Sequence, residues 1–114
     1  MSQPHPSFRA LHVAQDLIAA LPDVIRAVAT HDRPLADQLR RAAQSVLLNL
    51  AEAGGHAGGN RRQRVHSAFG SALETKAALH VALHWRYADA AKVADAHELA
   101  DRVSALCYRM LHPR

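Results

Sequence analysis

The stretch QLRRAAQSVLLNLAE, residues Gln38–Glu52, is apolar on more sides than one helix of a small protein needs. Ala43, Leu47 and Ala51 line a second flank of this predicted helix, and Leu48 faces a third direction. A helix on the surface of a small monomer keeps a broad polar face. We therefore expect this helix to be covered twice, once by its own domain and once by another subunit through Ala43, Leu47, Leu48 and Ala51. The main apolar face repeats every three or four positions, at Leu35, Leu39, Ala42, Val46, Leu50 and Ala53.

Composition favours a single all-α domain. The chain has 114 residues, 24 of them alanine, and only 4% are aromatic. Alanine has the highest helix propensity, whereas strands need β-branched and aromatic residues. Alanine-rich seams let helices approach closely but bury little apolar surface, which stabilises by about 25 cal/mol per Å². We therefore expect self-association to add stability.

The charge balance is basic, with a net charge of +4, a pI near 10.0 and twelve arginines among the fourteen basic residues. Arginine binds phosphates and carboxylates in a bidentate way, so the balance is compatible with nucleic-acid or acidic partners. Cys107 is the single cysteine and excludes an intrachain disulfide. With no signal segment and no run of ~18 apolar residues, the sequence predicts a cytoplasmic protein.

The first third of the chain predicts a mobile tail and one interrupted helix. Residues 1–6 contain two prolines and no apolar periodicity, so we expect a flexible tail, with the helical domain spanning 7–114. Ser7 is a candidate N-cap for a helix that runs to about Thr30. Pro22 lies inside this pattern and lacks a backbone donor, so it should kink the helix or divide it in two.

Three further helices follow. The pattern predicts one over Pro34–Ala53, then a glycine-rich link at 54–59 that should not be helical. Asn60 is a candidate N-cap for the third helix, which should end near Tyr87, and Asp89 is a candidate N-cap for the fourth. Four helices of similar length with short links predict an up-down-up-down four-helix bundle.

Two motifs resemble those of a known family. They are QLRRAAQSVLLNLAE at Gln38–Glu52 and GSALE at Gly70–Glu74. They resemble the four-helix-bundle proteins encoded by intervening sequences in bacterial 23S ribosomal RNA genes, relatives of the accessory proteins of diversity-generating retroelements. This chain has Leu47 and Ala53 where many members have proline and glycine. The resemblance implies a homo-oligomer, with pentameric rings known in the family, and no enzymatic activity. In the retroelement relatives it also implies contact with RNA and a reverse transcriptase.

Polar residues recur on one face of the second and third predicted helices. As a functional site, Glu52 and Glu74 would act as general acid and base. As a structural network, which we favour, Arg41 or Arg40 would pair with a glutamate and fix the helix register. Gly70 should mark a close helix contact beside the network. The network residues are Arg41, Ser45, Asn49 and Glu52 on the second helix and Ser71 and Glu74 on the third.

A basic cluster opens the third helix. Arg61, Arg62 and Arg64 follow the glycine-rich link, and a helix N-terminus favours anions, so they are candidate nucleic-acid contacts together with Arg40. The alternatives are a solvated basic turn or salt bridges to another subunit. Arginines at a helix N-terminus oppose the macrodipole, a small cost that a bound polyanion would relieve.

A histidine pair offers a weaker hypothesis. His80 and His84 are spaced i, i+4 and could share a metal with His97 or Glu74. A catalytic zinc site normally has three protein ligands, and the chain has neither an HExxH motif nor a cysteine pair, so we predict no metal site.

Aromatic residues close the third predicted helix. Trp85 and Tyr87 flank Arg86 and could stack bases. We favour instead two core residues that close one end of the bundle. We also expect Cys107, on the seam of the fourth helix, to be an inert buried thiol.

Together these observations predict a non-enzymatic scaffold without cofactors. We expect a homo-oligomer, pentameric if it follows the resemblance, that presents repeated basic surfaces to RNA or to a nucleic-acid-handling protein. The alternative is a purely structural or protein-interaction ring that binds no nucleic acid.

Overall fold

The computed structural model describes residues 6–54 and 58–113. The fold of this part of the chain is all-α, as predicted, with helices joined by short turns and no strand. None of its helices has an apolar stretch long enough to span a bilayer. The expected flexible tail falls mainly on residues 1–5, which lie outside the described residues. The five helices are α1 (Pro6–Ala20), α2 (Pro22–Ala29), α3 (Arg33–Gly54), α4 (Gly58–His84) and α5 (Ala90–Leu111).

Pro22 divides the first predicted helix into α1 and α2, which confirms the expected interruption. Proline has no backbone N–H, and it occupies the first position of α2, where that donor has no helical partner. Leu21 bridges the break, since its amide donates to the Ile18 carbonyl at 3.3 Å and its carbonyl accepts from the Ile25 amide at 2.8 Å. The two short helices therefore continue as one bent rod.

Aspartates cap the N-termini of α3 and α5. The Asp89 carboxylate accepts from the Lys92 amide at 3.1 Å, which confirms the predicted cap of α5. Asp32 plays the same role for α3 by accepting from the Leu35 amide at 3.0 Å, so α3 begins at Arg33, one residue earlier than predicted. Each carboxylate satisfies an amide that has no partner within its helix.

Part of the predicted glycine-rich link is helical. Gly54 is the last residue of α3 and Gly58 is the first of α4, while residues 55–57 lie outside the described residues. Asn60 lies within α4 and is not its N-cap, so that prediction was wrong. A helical glycine costs only about 1 kcal/mol, which the packing of a long helix offsets.

The C-terminus of α4 falls at His84, three residues before the predicted end. Arg86 has a φ of 58°, the left-handed conformation typical of the residue after a helix. The Tyr87 amide donates to the Ala82 carbonyl at 2.9 Å and the Arg86 amide to the Leu83 carbonyl at 3.1 Å. This paired arrangement is a Schellman motif built with arginine in place of the usual glycine.

Successive rods run antiparallel around a common core. α3 packs on α4, α4 on α5, and the α1–α2 rod on both α3 and α5. The α3–α4 contacts Ser45–Ser71 and Asn49–Arg64 run in opposite chain order, so these two helices are antiparallel. The α4–α5 contacts Lys76–Asp101 and Arg62–Leu111 show the same for α4 and α5. The topology is therefore the predicted up-down-up-down order.

The core of the described residues has two apolar halves. Twelve of the 27 buried apolar residues in this part of the chain are alanines, whose small side chains let helices pack closely. One half surrounds Val46 and Val103, and the other surrounds Leu39 and Leu79. Hydrogen bonds join Ser45, Ser71 and Thr75, which we call the hydroxyl layer.

Candidate nucleic-acid and assembly surfaces

The hydroxyl layer links α3 to α4 directly. The Ser71 hydroxyl donates to the Ser45 hydroxyl at 2.7 Å, and the Asn49 amide donates to the same Ser45 oxygen at 3.0 Å. Thr75 is fully buried, and its hydroxyl donates to the Ser71 carbonyl at 2.8 Å. Sequence reasoning found Ser45, Asn49 and Ser71 but missed Thr75, although it continues the apolar spacing of Ala72 and Leu79.

Arg41 and Glu74, which were also predicted to belong to the network, take no part in these bonds. Both are exposed, and neither forms an ion pair with another described residue. Arg64 joins instead, since its Nη1 donates to the Asn49 Oδ1 at 3.4 Å. At this point the structure therefore shows an arginine–amide contact.

The two glutamates considered for acid–base chemistry lie apart. Glu52 lines a groove together with Arg64, whereas Glu74 follows Arg64 by ten residues on α4. At 1.5 Å per residue this separates them by roughly 15 Å along the bundle. The geometry therefore does not provide the carboxylate pair that general acid–base catalysis would use.

The four candidate arginines differ in position and exposure. Arg62 donates from Nη1 to the Leu111 carbonyl at 3.0 Å, which ties the start of α4 to the end of α5. Arg61 is half-buried, and Arg64 is exposed. Arg40 lies elsewhere, exposed beside the cleft near Pro22. The four candidate arginines therefore do not form one patch.

A groove between α3 and α4 contains the most exposed large apolar side chain of α3. Leu48 is 63% exposed here, Ala51 is exposed nearby, and Leu47 is half-buried. Ala43 is 1% exposed and packs in the core of its own subunit, so it cannot contribute to an outer interface. The groove is lined by Arg41, Gln44, Ser45, Leu48, Asn49, Glu52 and Arg64.

The outer face of α4 is also apolar. Leu73 and Val81 are 44% and 37% exposed, with exposed Ala77 between them. Gly70 lies one turn before Leu73, and a Cβ added there would meet nothing within 4 Å. The prediction that Gly70 marks a close helix contact is therefore wrong within one subunit, because this glycine faces outward.

The histidine pair does form a contact. The His80 and His84 ring centroids lie 4.3 Å apart. Across residues 6–54 and 58–113, no three His, Cys, Asp or Glu side chains are grouped in a way that could hold a metal ion. The metal hypothesis therefore gains no third ligand from the fold.

The two aromatic residues after α4, Trp85 and Tyr87, differ in burial. Trp85 is 69% exposed, so the prediction that it closes the core is wrong. Tyr87 is half-buried and packs against the core, and its ring stacks on His31 with centroids 5.0 Å apart. The left-handed turn at Arg86 directs the two aromatics to different sides.

A second aromatic group lies between α4 and α5 and was not found from the sequence. The Tyr108 ring stacks on His112, with centroids 4.1 Å apart, and lies 6.2 Å from the Phe69 ring. Tyr108 is 53% exposed. We call Phe69, Tyr108 and His112 the aromatic ladder. Only the i, i+4 spacing of Tyr108 and His112 was visible in the sequence.

Cys107 is fully buried on the core face of α5. Burial raises the pKa of its thiol to about 12. The thiolate is the reactive form, so this cysteine is inert at neutral pH, as expected.

These features define a class of protein. It is a helical bundle with an alanine-rich core and an interrupted first rod, and its described residues form no catalytic constellation. The chain belongs to the family of 23S rRNA-intervening sequence proteins, whose family model matches residues 9–109. The resemblance drawn from the two sequence motifs is thereby confirmed. No curated protein matches the chain.

A solved structure supports the same fold. The chain is similar to a crystal structure from Bacteroides thetaiotaomicron VPI-5482, described as a protein of unknown function from the S23 ribosomal protein family. The TM-score is 0.81, with 12% sequence identity over 90% of this chain and 98% of that one. At this identity the likeness establishes the shared fold.

Proposed function

We propose that this protein is a non-catalytic, homo-oligomeric scaffold that contacts RNA through basic residues repeated around the assembly. The observation that carries the proposal is the 63% exposure of Leu48 in the middle of α3. A leucine in this position loses favourable burial unless another surface covers it. Ala51 and the apolar outer face of α4 extend the uncovered area.

The subunit number in this proposal is five, which follows the family resemblance drawn from the sequence. A ring of five copies would repeat each weak contact five times and so increase the apparent affinity without any new contact. The proposal also places the protein in the cytoplasm, where a reducing environment suits the free thiol of Cys107.

The RNA contact is supported by available positive charge. Arg40, Arg61, Arg62 and Arg64 form no ion pair with any described carboxylate. Arg40 and Arg64 are exposed, whereas Arg61 is half-buried and Arg62 also donates to the Leu111 carbonyl. The net charge of +4 favours association with polyanions in general. Arg64 is the best single candidate, since it is exposed and its hydrogen bond to Asn49, at 3.4 Å, is long.

Assembly is tested by light scattering coupled to size-exclusion chromatography at micromolar concentration. We expect a mass about five times the 12.4 kDa of one chain. Leu48→Asp should shift the protein to smaller species, because an aspartate cannot be buried cheaply in an apolar interface. Ala91→Asp, at an exposed position on α5, is the matched control and should leave the mass unchanged. A wild-type mass equal to that of one chain would contradict the proposed assembly. An unchanged mass of Leu48→Asp would show that the surface around Leu48 is not the interface.

RNA contact is tested by fluorescence anisotropy with a labelled RNA of mixed sequence over a range of salt concentrations. We expect binding at low salt that weakens steeply as salt rises, because phosphate contacts release counterions. Arg64→Ala should weaken binding and reduce the salt slope by about one. Arg26→Ala is the control, since Arg26 is exposed but pairs with Asp23. Absent or salt-independent binding would leave the alternative, a purely structural or protein-interaction ring.

A further inference from the structure

The aromatic ladder presents ring surface to solvent at the junction of α4 and α5. Tyr108 is 53% exposed although two other rings lie against it. The Nδ1 of His112 lies 3.1 Å from the Tyr108 carbonyl oxygen, which holds the imidazole over the tyrosine ring. The exposed aromatic surface is therefore ordered before any ligand arrives, and little conformational entropy would be lost on binding.

Positive charge surrounds this surface. The Arg62 guanidinium is held at the Leu111 carbonyl, one residue before His112. Arg109 follows Tyr108 in the chain and is exposed, and Arg102 lies two helical turns earlier on the same face of α5. The nearby carboxylate of Asp101 is already paired with Lys76 at 2.7 Å. Arg62 and Arg109 therefore provide positive charge close to the ladder.

This inference rests on the RNA contact proposed above. We propose that the aromatic ladder stacks unpaired bases of single-stranded RNA while Arg62 and Arg109 contact the adjoining phosphates. Sites for single-stranded nucleic acid combine aromatic platforms with a basic track in this way. The bases of an RNA duplex are already stacked and their faces are shielded, so the ladder favours single strands over duplexes.

The test compares an unstructured single-stranded RNA of about 12 nucleotides with a duplex of the same sequence, each measured by fluorescence anisotropy. A 2-aminopurine in the single strand reports stacking directly through quenching of its fluorescence. Tyr108→Leu keeps apolar volume but removes the ring. It should weaken single-strand binding roughly 5- to 100-fold and abolish the quenching, while duplex binding stays within a factor of about two. Tyr108→Phe should restore both signals.

Trp85→Leu is the matched control. It removes another exposed aromatic, 69% exposed against 53% for Tyr108, but Trp85 lies sixteen residues from Phe69, roughly 24 Å along the helix axis. Circular dichroism of Tyr108→Leu confirms folding. If wild-type protein binds RNA but Tyr108→Leu binds the single strand equally well, the stacking site is wrong and the RNA contact stands. If neither RNA binds the wild type, both proposals fail.

Discussion

Arg62 and Leu111 join the start of α4 to the end of α5 through a 3.0 Å hydrogen bond from the guanidinium to the backbone carbonyl. The carbonyls of the last helical turn have no partner within their helix. A positive charge at that end also interacts favourably with the negative pole of the helix dipole. The bond therefore offsets the unfavourable position of Arg62 near the N-terminus of its own helix. A residue first considered for phosphate binding also has a structural role.

Arg62→Ala should lower the free energy of unfolding by about 1 kcal/mol, because a hydrogen bond from a charged donor is lost. Arg62→Lys should retain part of this stability, since one donor can still reach the carbonyl. Urea denaturation followed by circular dichroism measures both. Arg64→Ala is the control, as the hydrogen bond that Arg64 donates to Asn49 is long, at 3.4 Å. Equal stability of the Arg62→Ala and wild-type proteins would show that the bond contributes nothing.

Ser71→Ala should destabilise the protein by about 1 kcal/mol, since it removes the hydrogen bond between Ser71 and Ser45 across α3 and α4. A double-mutant cycle with Ser45→Ala isolates the interaction between the two hydroxyls. Ser67→Ala, one turn earlier on α4 and half-buried, is the matched control and should change little. Additive effects of Ser45→Ala and Ser71→Ala would argue against direct coupling.

The Lys76–Asp101 pair predicts a defined acid sensitivity. The hydrogen bond and positive charge of Lys76 hold the pKa of Asp101 below its usual 3.8. Between the folded and unfolded pKa values, the unfolded chain binds more protons. The contribution of the pair is therefore complete above pH 3.8 and is lost as the pH falls through the folded value. An NMR titration of the carboxyl carbon measures this directly.

Lys76→Met should return the pKa of Asp101 toward 3.8. Lys92→Met is the control, because Lys92 acts on Asp23, whose lowered pKa is also held by Arg26. The Asp101 titration should be unchanged in that variant. A titration of Asp101 that stays low in Lys76→Met would assign its shift to another group.

Arg86→Gly should raise the free energy of unfolding by about 0.5–1 kcal/mol. The left-handed conformation of Arg86 costs a residue with a Cβ about 1–2 kcal/mol, and the greater freedom of glycine in the unfolded chain removes part of the gain. Arg86→Ala is the control, because it removes the guanidinium but keeps the Cβ. Thermal unfolding should therefore separate the two variants, and equal midpoints would contradict the backbone explanation.

Local features of the fold were predictable because their causes lie within a few residues. Pro22 interrupts its helix through the amide it lacks, and Asp89 caps α5 through the carboxylate next to the first turn. The helical periodicity around Leu48 correctly indicated an apolar residue that one subunit leaves uncovered. The prediction that the glycine-rich link is not helical was wrong at Gly54 and Gly58, because packing along α3 and α4 outweighs the weak helix propensity of glycine.

The helices, their antiparallel order and the excess apolar surface on α3 followed from the sequence, because apolar periodicity and short links are properties of neighbouring residues. The identity of the side chains that meet depended on the packed fold. Ser45 and Ser71 are 26 residues apart, and Arg62 and Leu111 are 49 apart. Their contacts depend on how far each helix rotates and slides against its neighbour, which the packing of the whole alanine-rich core sets. The aromatic ladder arose in the same way, from the register of α4 against α5.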